Sequence, residues 1–166
     1  MPLRCQRHFY LTWYNHGRSK SNIRITAFIM KNKQQIMDWV SATLREAAWA
    51  PLCVVGIYVF GLTFHLFRMF PFIDIPTHFM GGVTITYFYR VAIRNSQKFL
   101  GDIPIPIQIL LAFTTAGTTT VFWEFYENLM DHFFGFQMVR GLEDTITDLF
   151  LGLLGALVLS LFYRKM

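Results

Sequence analysis

The sequence predicts an all-α polytopic membrane protein, with four transmembrane helices in an up-down bundle behind an N-terminal interfacial helix. Three observations carry that prediction. Of the 166 residues, 54% are hydrophobic and only 15% charged, with a positive mean hydropathy, whereas a soluble domain carries about a quarter charged residues. Apolar runs recur at residues 47–67, 74–93, 107–127 and 144–163, and at ~1.5 Å rise per residue each is long enough to cross ~30 Å of hydrocarbon. The basic residues behind the net charge of +5 lie between those runs or at their ends. That is how topology signals are distributed, and a nucleic-acid partner is not expected.

Residues 1–33 form a basic leader holding Arg4, Arg7, Arg18, Lys20 and Arg24. It lacks the apolar core of a secretory signal, so it reads as disordered, as an organellar-type presequence, or as untranslated sequence ahead of a start at Met30. Cys5 and Cys53 are too few and too far apart for a disulfide framework or a Cys-x-x-Cys metal site. Residues 34–46 place Ile36, Met37, Val40 and Leu44 on one helical stripe, which suits an amphipathic helix lying in the membrane interface.

The first span carries His65 near its end, read as an interfacial or core side chain, and Pro71 closes the turn after Arg68. The second opens at Asp74, which reads as a helix N-cap, with His78 one turn later and a Gly81-Gly82 pair that admits a close neighbouring helix. A proline-containing loop over 94–106 leads to the third span, whose Thr114, Thr115, Thr118, Thr119 and Thr120 can bond to their own helix or a neighbour. Residues 128–143 stay on the same face, with Gly135 and Gly141 as helix breakers and Phe133, Phe134 and Phe136 dipping into lipid. The fourth span has a small-residue stripe at Gly152, Gly155 and Ala156.

Four crossings put both termini on one side. That side receives Arg45, Arg90, Arg94, Lys98, Arg164, Lys165, Lys31, Lys33 and the five leader cations, and the other only Arg68 and Arg140. Both termini are therefore expected in the cytoplasm. The acids run the other way: Asp74, Glu124, Glu127, Asp131, Glu143, Asp144 and Asp148 all fall on the outward side. Glu124 and Glu127 sit at a helix C-terminus, where the macrodipole disfavours negative charge, and Asp148 lies beyond the first turn of its helix. Asp74 and Asp144 have an ordinary explanation as helix caps, and His78, Trp123 and Tyr126 as interfacial anchors. The two glutamates and Asp148 do not, and several buried acids together call for cations, shared protons or water.

Asp-x-x-x-His-Phe at Asp74 to Phe79 ahead of a glycine pair, Trp-Glu-x-x-Glu at Trp123 to Glu127, and Asp-Thr-x-x-Asp-x-x-x-Gly-x-x-Gly from Asp144 to Gly155 resemble the motifs of the VanZ-like small bacterial membrane proteins, closest to the YjdF-like branch. Phe150 and Leu151 stand where the VanZ-like pattern has an Asn before its glycines. The resemblance implies a bacterial inner membrane protein with a role in envelope physiology or glycopeptide-type resistance.

Chemically, carboxylates and an imidazole converging from three helices suit Mg²⁺, Mn²⁺, Ca²⁺ or Zn²⁺. The candidate metal ligands are Asp74, His78, Glu124, Glu127, Asp144 and Asp148, and the candidate catalytic residues Glu124, Glu127, Asp148 and His78. Two metals bridged by these acids would suit a hydrolase or transferase acting on a lipid-linked substrate, with Arg140 and Arg68 holding a phosphate. Two other classes stay open: a non-catalytic envelope scaffold, and a proton- or cation-coupled transporter, for which a homo-oligomer would be needed.

Overall fold

A computed structural model describes residues 31–162, all-helical with no strand among them; the leader up to residue 30 lies outside that range. Among the described residues, contacts set residues 31–38 apart from a larger unit of residues 39–162. Helix α1 spans Lys31–Ala47 and meets α2, Trp49–Thr63, at a 57° bend. A four-residue helix α3, Leu66–Met69, and a single 3-10 turn at Pro71–Ile73 lead to α4, Asp74–Leu100. Helices α5, Ile105–Phe134, and α6, Leu142–Phe162, complete the bundle.

Helices α5 and α6 are each long and apolar enough to cross a membrane, and α1 with α2 joins them if the bent pair is one span. The first apolar run is not one continuous helix, because His65 takes the left-handed conformation at φ 55° and breaks it into α2 and α3. The second and third run on beyond their apolar stretches. Helix α4 continues to Leu100 instead of ending near residue 93, because its last turns have polar partners: Asn95 Nδ2 lies 3.4 Å from Thr43 Oγ1 and from Glu46 Oε2, and Arg94 pairs with Glu46. Trp39 also donates its indole N–H to the Ala92 carbonyl at 2.8 Å. Helix α5 ends only at Gly135, left-handed at φ 67°, where a residue without Cβ is favoured.

The interior is built from small and polar residues, and the exterior from large apolar ones. Ala112, Ala116 and Ala156 are buried alongside Thr86, Arg90 and Thr120, whereas Phe122, Phe125, Phe133, Phe134 and Phe150 are exposed. Water as solvent would reverse that arrangement; a bilayer favours it, since apolar side chains gain nothing by leaving lipid and small residues let helices pack closely. The α5 threonines turn inward on themselves, each of Thr114, Thr115, Thr118, Thr119 and Thr120 donating to a carbonyl four residues back.

Helix α4 is central, touching α2, α5 and α6. Its buried residues include Asp74, His78, Gly82, Thr86 and Arg90, every fourth position along one stripe. Backbone contact between α4 and α6 is close enough that a Cβ on Gly82 would lie 1.9 Å from the Gly152 carbonyl oxygen, and one on Gly155 2.1 Å from the Phe79 carbonyl oxygen. Gly81, its side open, takes no part in this contact. The crossing fixes α4 against α6 just inside the helix ends that carry the acids.

Candidate metal centre

Asp74 and His78 are one turn apart at the start of α4, Glu124 and Glu127 lie on the inward face of α5, and Asp148 is in the second turn of α6. All five are buried, His78 at 7% exposure and Glu124 at 3%. His78 is the hub. Its Nε2 lies 3.3 Å from Asp74 Oδ1 and 3.8 Å from Asp148 Oδ2, and its Nδ1 lies 3.7 Å from Glu124 Oε1. Two sets of three ligand atoms result, Asp74–His78–Asp148 and His78–Glu124–Glu127, each set lying within 4.8 Å of one another. Donor atoms that share one divalent ion at ~2.0–2.6 Å are separated by up to about twice that distance, so either set fits one.

Satisfaction of the carboxylates is uneven. Glu127 Oε1 accepts the Tyr58 hydroxyl at 2.7 Å and the Trp123 indole N–H at 3.0 Å. Both oxygens of Glu124 are buried without a hydrogen-bond partner, a state that costs several kcal/mol for a charged group and so requires an explanation. Five carboxylates, counting Asp144, face one arginine, Arg140, so the cluster attracts cations.

Asp144 stands apart from both triads. It accepts the Arg140 backbone N–H at 3.0 Å and its Nε at 3.1 Å, and Arg140 reaches on to pair with Asp74. Partial burial works against the Arg140 charge, but the hydrogen bond and charge of Asp144, with Asp74 behind it, outweigh this and hold its pKa above the ordinary value, making it a permanent cation. Neither aspartate is the N-cap it resembles in the sequence: Ile73 occupies that position in α4, and Asp144 lies in the first turn of α6. The loop bearing Arg140 is anchored by Asp131, whose oxygens accept the Met138 and Val139 N–H groups at 2.6 and 2.7 Å.

A cleft of about 670 Å³ opens beside the cluster, bordered by Tyr58, Asp74, Glu127, His65, Arg68 and Arg140. Arg68 is exposed at its edge, and among the described residues no ion pair joins it to either triad. Tyr58 gives no signal in the sequence, being one aromatic in an apolar run. Only the three-dimensional approach of α2 to α5 brings its hydroxyl to Glu127. Tyr58→Phe should cost about 1.5–3 kcal/mol, the worth of a hydrogen bond to a charged group, and thermal unfolding in detergent checks it; no change would mean that the bond is not made.

An uncharacterised protein of Thermotoga maritima is 30% identical over 109 residues, covering 64% of this chain and 56% of its own length, so the chain spans little more than half of that relative. No solved structure matches. Residues 12–166 match the family described as predicted membrane protein (DUF2238), and with all of the helical bundle inside that match, the chain belongs to this family of membrane proteins.

Proposed function

We propose that the buried cluster binds a divalent cation and uses it to hydrolyse or transfer a phosphate-bearing group on a lipid-linked substrate. The observation that carries this is His78 held among carboxylates from three helices, with both oxygens of Glu124 buried and unpartnered beside it. A bound ion would neutralise that charge, polarise a phosphoryl oxygen and acidify a bound water toward neutral pH. Asp148, not a partner of Arg140, is the carboxylate available to take the proton from that water. Arg68 and Arg140 line the cleft where the substrate's phosphate would enter. Without the cation the acids repel an anionic headgroup, so metal and substrate bind together.

We infer that the chain crosses the membrane four times. Helix α4 is less apolar on average than α5 or α6, yet its charged and polar residues Asp74, His78, Arg90 and Asn95 are buried while Ile75, Met80, Phe99 and Leu100 are exposed, which supports a span whose polar side faces the bundle. The cationic excess near the termini supports an inner-membrane placement with both termini cytoplasmic and the cluster outward. The motif likeness to VanZ-like and YjdF-like proteins supports an envelope role.

The test is phosphate release from a long-chain lipid phosphate in mixed micelles with Mn²⁺. Asp148→Asn should reduce turnover by about 10²–10⁴, the usual contribution of a general base, without lowering abundance. An undiminished rate would contradict the assignment.

A further inference from the structure

The two triads share one imidazole, and this limits what the centre can hold. A neutral imidazole has one nitrogen lone pair and one N–H, so it ligates a metal through one nitrogen and donates a hydrogen bond from the other. The structure assigns a specific side to each role: resting on the metal reading above, we propose that a single divalent ion is bound by His78 Nδ1, Glu124 and Glu127, while Asp74 accepts from Nε2 and positions the ring, and Asp148, 3.8 Å from the same nitrogen, does not ligate.

Four features point the same way. Asp74 Oδ1 is the nearest carboxylate oxygen to the ring, 3.3 Å from Nε2, and metal-bound histidines donate their second N–H to just such a carboxylate. Asp74 is also engaged by Arg140 through its other oxygen, which weakens it as a ligand and strengthens it as a fixed acceptor. On the Nδ1 side, Glu127 is oriented by two donors, Tyr58 and Trp123, as ligating carboxylates are. Glu124, 3.7 Å from Nδ1, keeps both oxygens free of hydrogen bonds. The hydrogen bonds that orient Glu127 and the unused acceptors of Glu124 thus belong to the same triad. A second ion on the Nε2 side would have to displace the ring N–H and compete with Arg140.

Mn²⁺ binding to the full chain in mild detergent, followed by equilibrium dialysis, tests this. The proposal expects one ion per chain, with nitrogen coupling from His78 in the pulsed EPR spectrum. Glu124→Gln should remove binding. Asp74→Asn should weaken it by about 10–100-fold, the usual effect of losing an outer partner of a ligating histidine, and Asp148→Asn by less, both keeping the stoichiometry and the nitrogen coupling. Two ions per chain would overturn the shared-imidazole argument while leaving the metal reading standing. Loss of binding in Asp74→Asn with retention in Glu124→Gln, or equal loss in both, would overturn the choice of side. A wild-type chain that binds no Mn²⁺ would overturn both proposals. Melting of each variant without ion identifies one that fails to fold, and the remaining aspartate variant then decides the matter.

Discussion

Glu124→Gln should leave the ion-free protein at least as stable as the wild type and abolish its stabilisation by divalent cations. The substitution keeps the shape of the side chain and removes a charge whose two oxygens have no hydrogen-bond partner and which is 3% exposed. A carboxylate buried in this way costs several kcal/mol unless something neutralises it, so its removal cannot expose an unmet need. A ligand that binds only the folded state adds RT ln(1 + [L]/Kd), about 2.7 kcal/mol at a hundredfold excess over Kd. The wild type should therefore gain about that much in a thermal melt with excess Mn²⁺ or Zn²⁺, and the variant nothing. If the glutamate is instead part of the architecture, the variant will melt lower with and without ion, by similar amounts.

The second large effect separates two adjacent glycines. Gly82→Ala should destabilise the bundle by at least the upper end of the ~1–3 kcal/mol that overpacking typically costs, because the new methyl would stand 1.9 Å from a backbone oxygen of α6, which no rotamer change can relieve. Gly81→Ala, one residue away with nothing within 4 Å of its Cβ, should stabilise by about 0.5–1 kcal/mol, the helical advantage of alanine over glycine. Reversible unfolding in mixed micelles would read both signs. Because α4 and α6 carry Asp74, His78 and Asp148, forcing them apart should also weaken ion binding in Gly82→Ala. Equal effects at the two positions would mean that α4 faces α6 differently.

How much of this could be read in the sequence follows from the kind of signal each feature leaves. Membrane character is legible because it is an average: a low charged fraction and long apolar runs survive any ignorance of contacts. Gly135 and Gly141 are legible as breakers for a local reason, both taking positive φ at the ends of the loop they bound. Helix ends elsewhere are not. Asn95 looks like a loop residue when only hydropathy is read, yet α4 continues through it because it has partners on α1.

The site divides in the same way. Asp74, His78, Glu124, Glu127 and Asp148 are spaced three and four apart on helices that end on one side, so periodicity and alternating direction suffice to gather them. What periodicity cannot give is the division of labour among them. Asp144 belongs to the same stripe as Asp148, but the loop folded by Asp131 delivers Arg140 to it and removes it from the cluster. Tyr58 is invisible for the converse reason, its hydroxyl acquiring a purpose only from a residue 69 positions away. The glycine pair is half legible: its composition announces a close helix contact, but only the rotational setting of α4 decides that Gly82 makes it and Gly81 does not.

We propose that carboxylates and an imidazole from three helices form a cation site. Elemental analysis of the wild-type chain, purified in mild detergent without chelator and then equilibrated with divalent ions and dialysed, tests it most directly. About one tightly held divalent ion per chain, lost on treatment with chelator and absent from Glu124→Gln, is the predicted result. A folded chain that retains no ion after that treatment would contradict it.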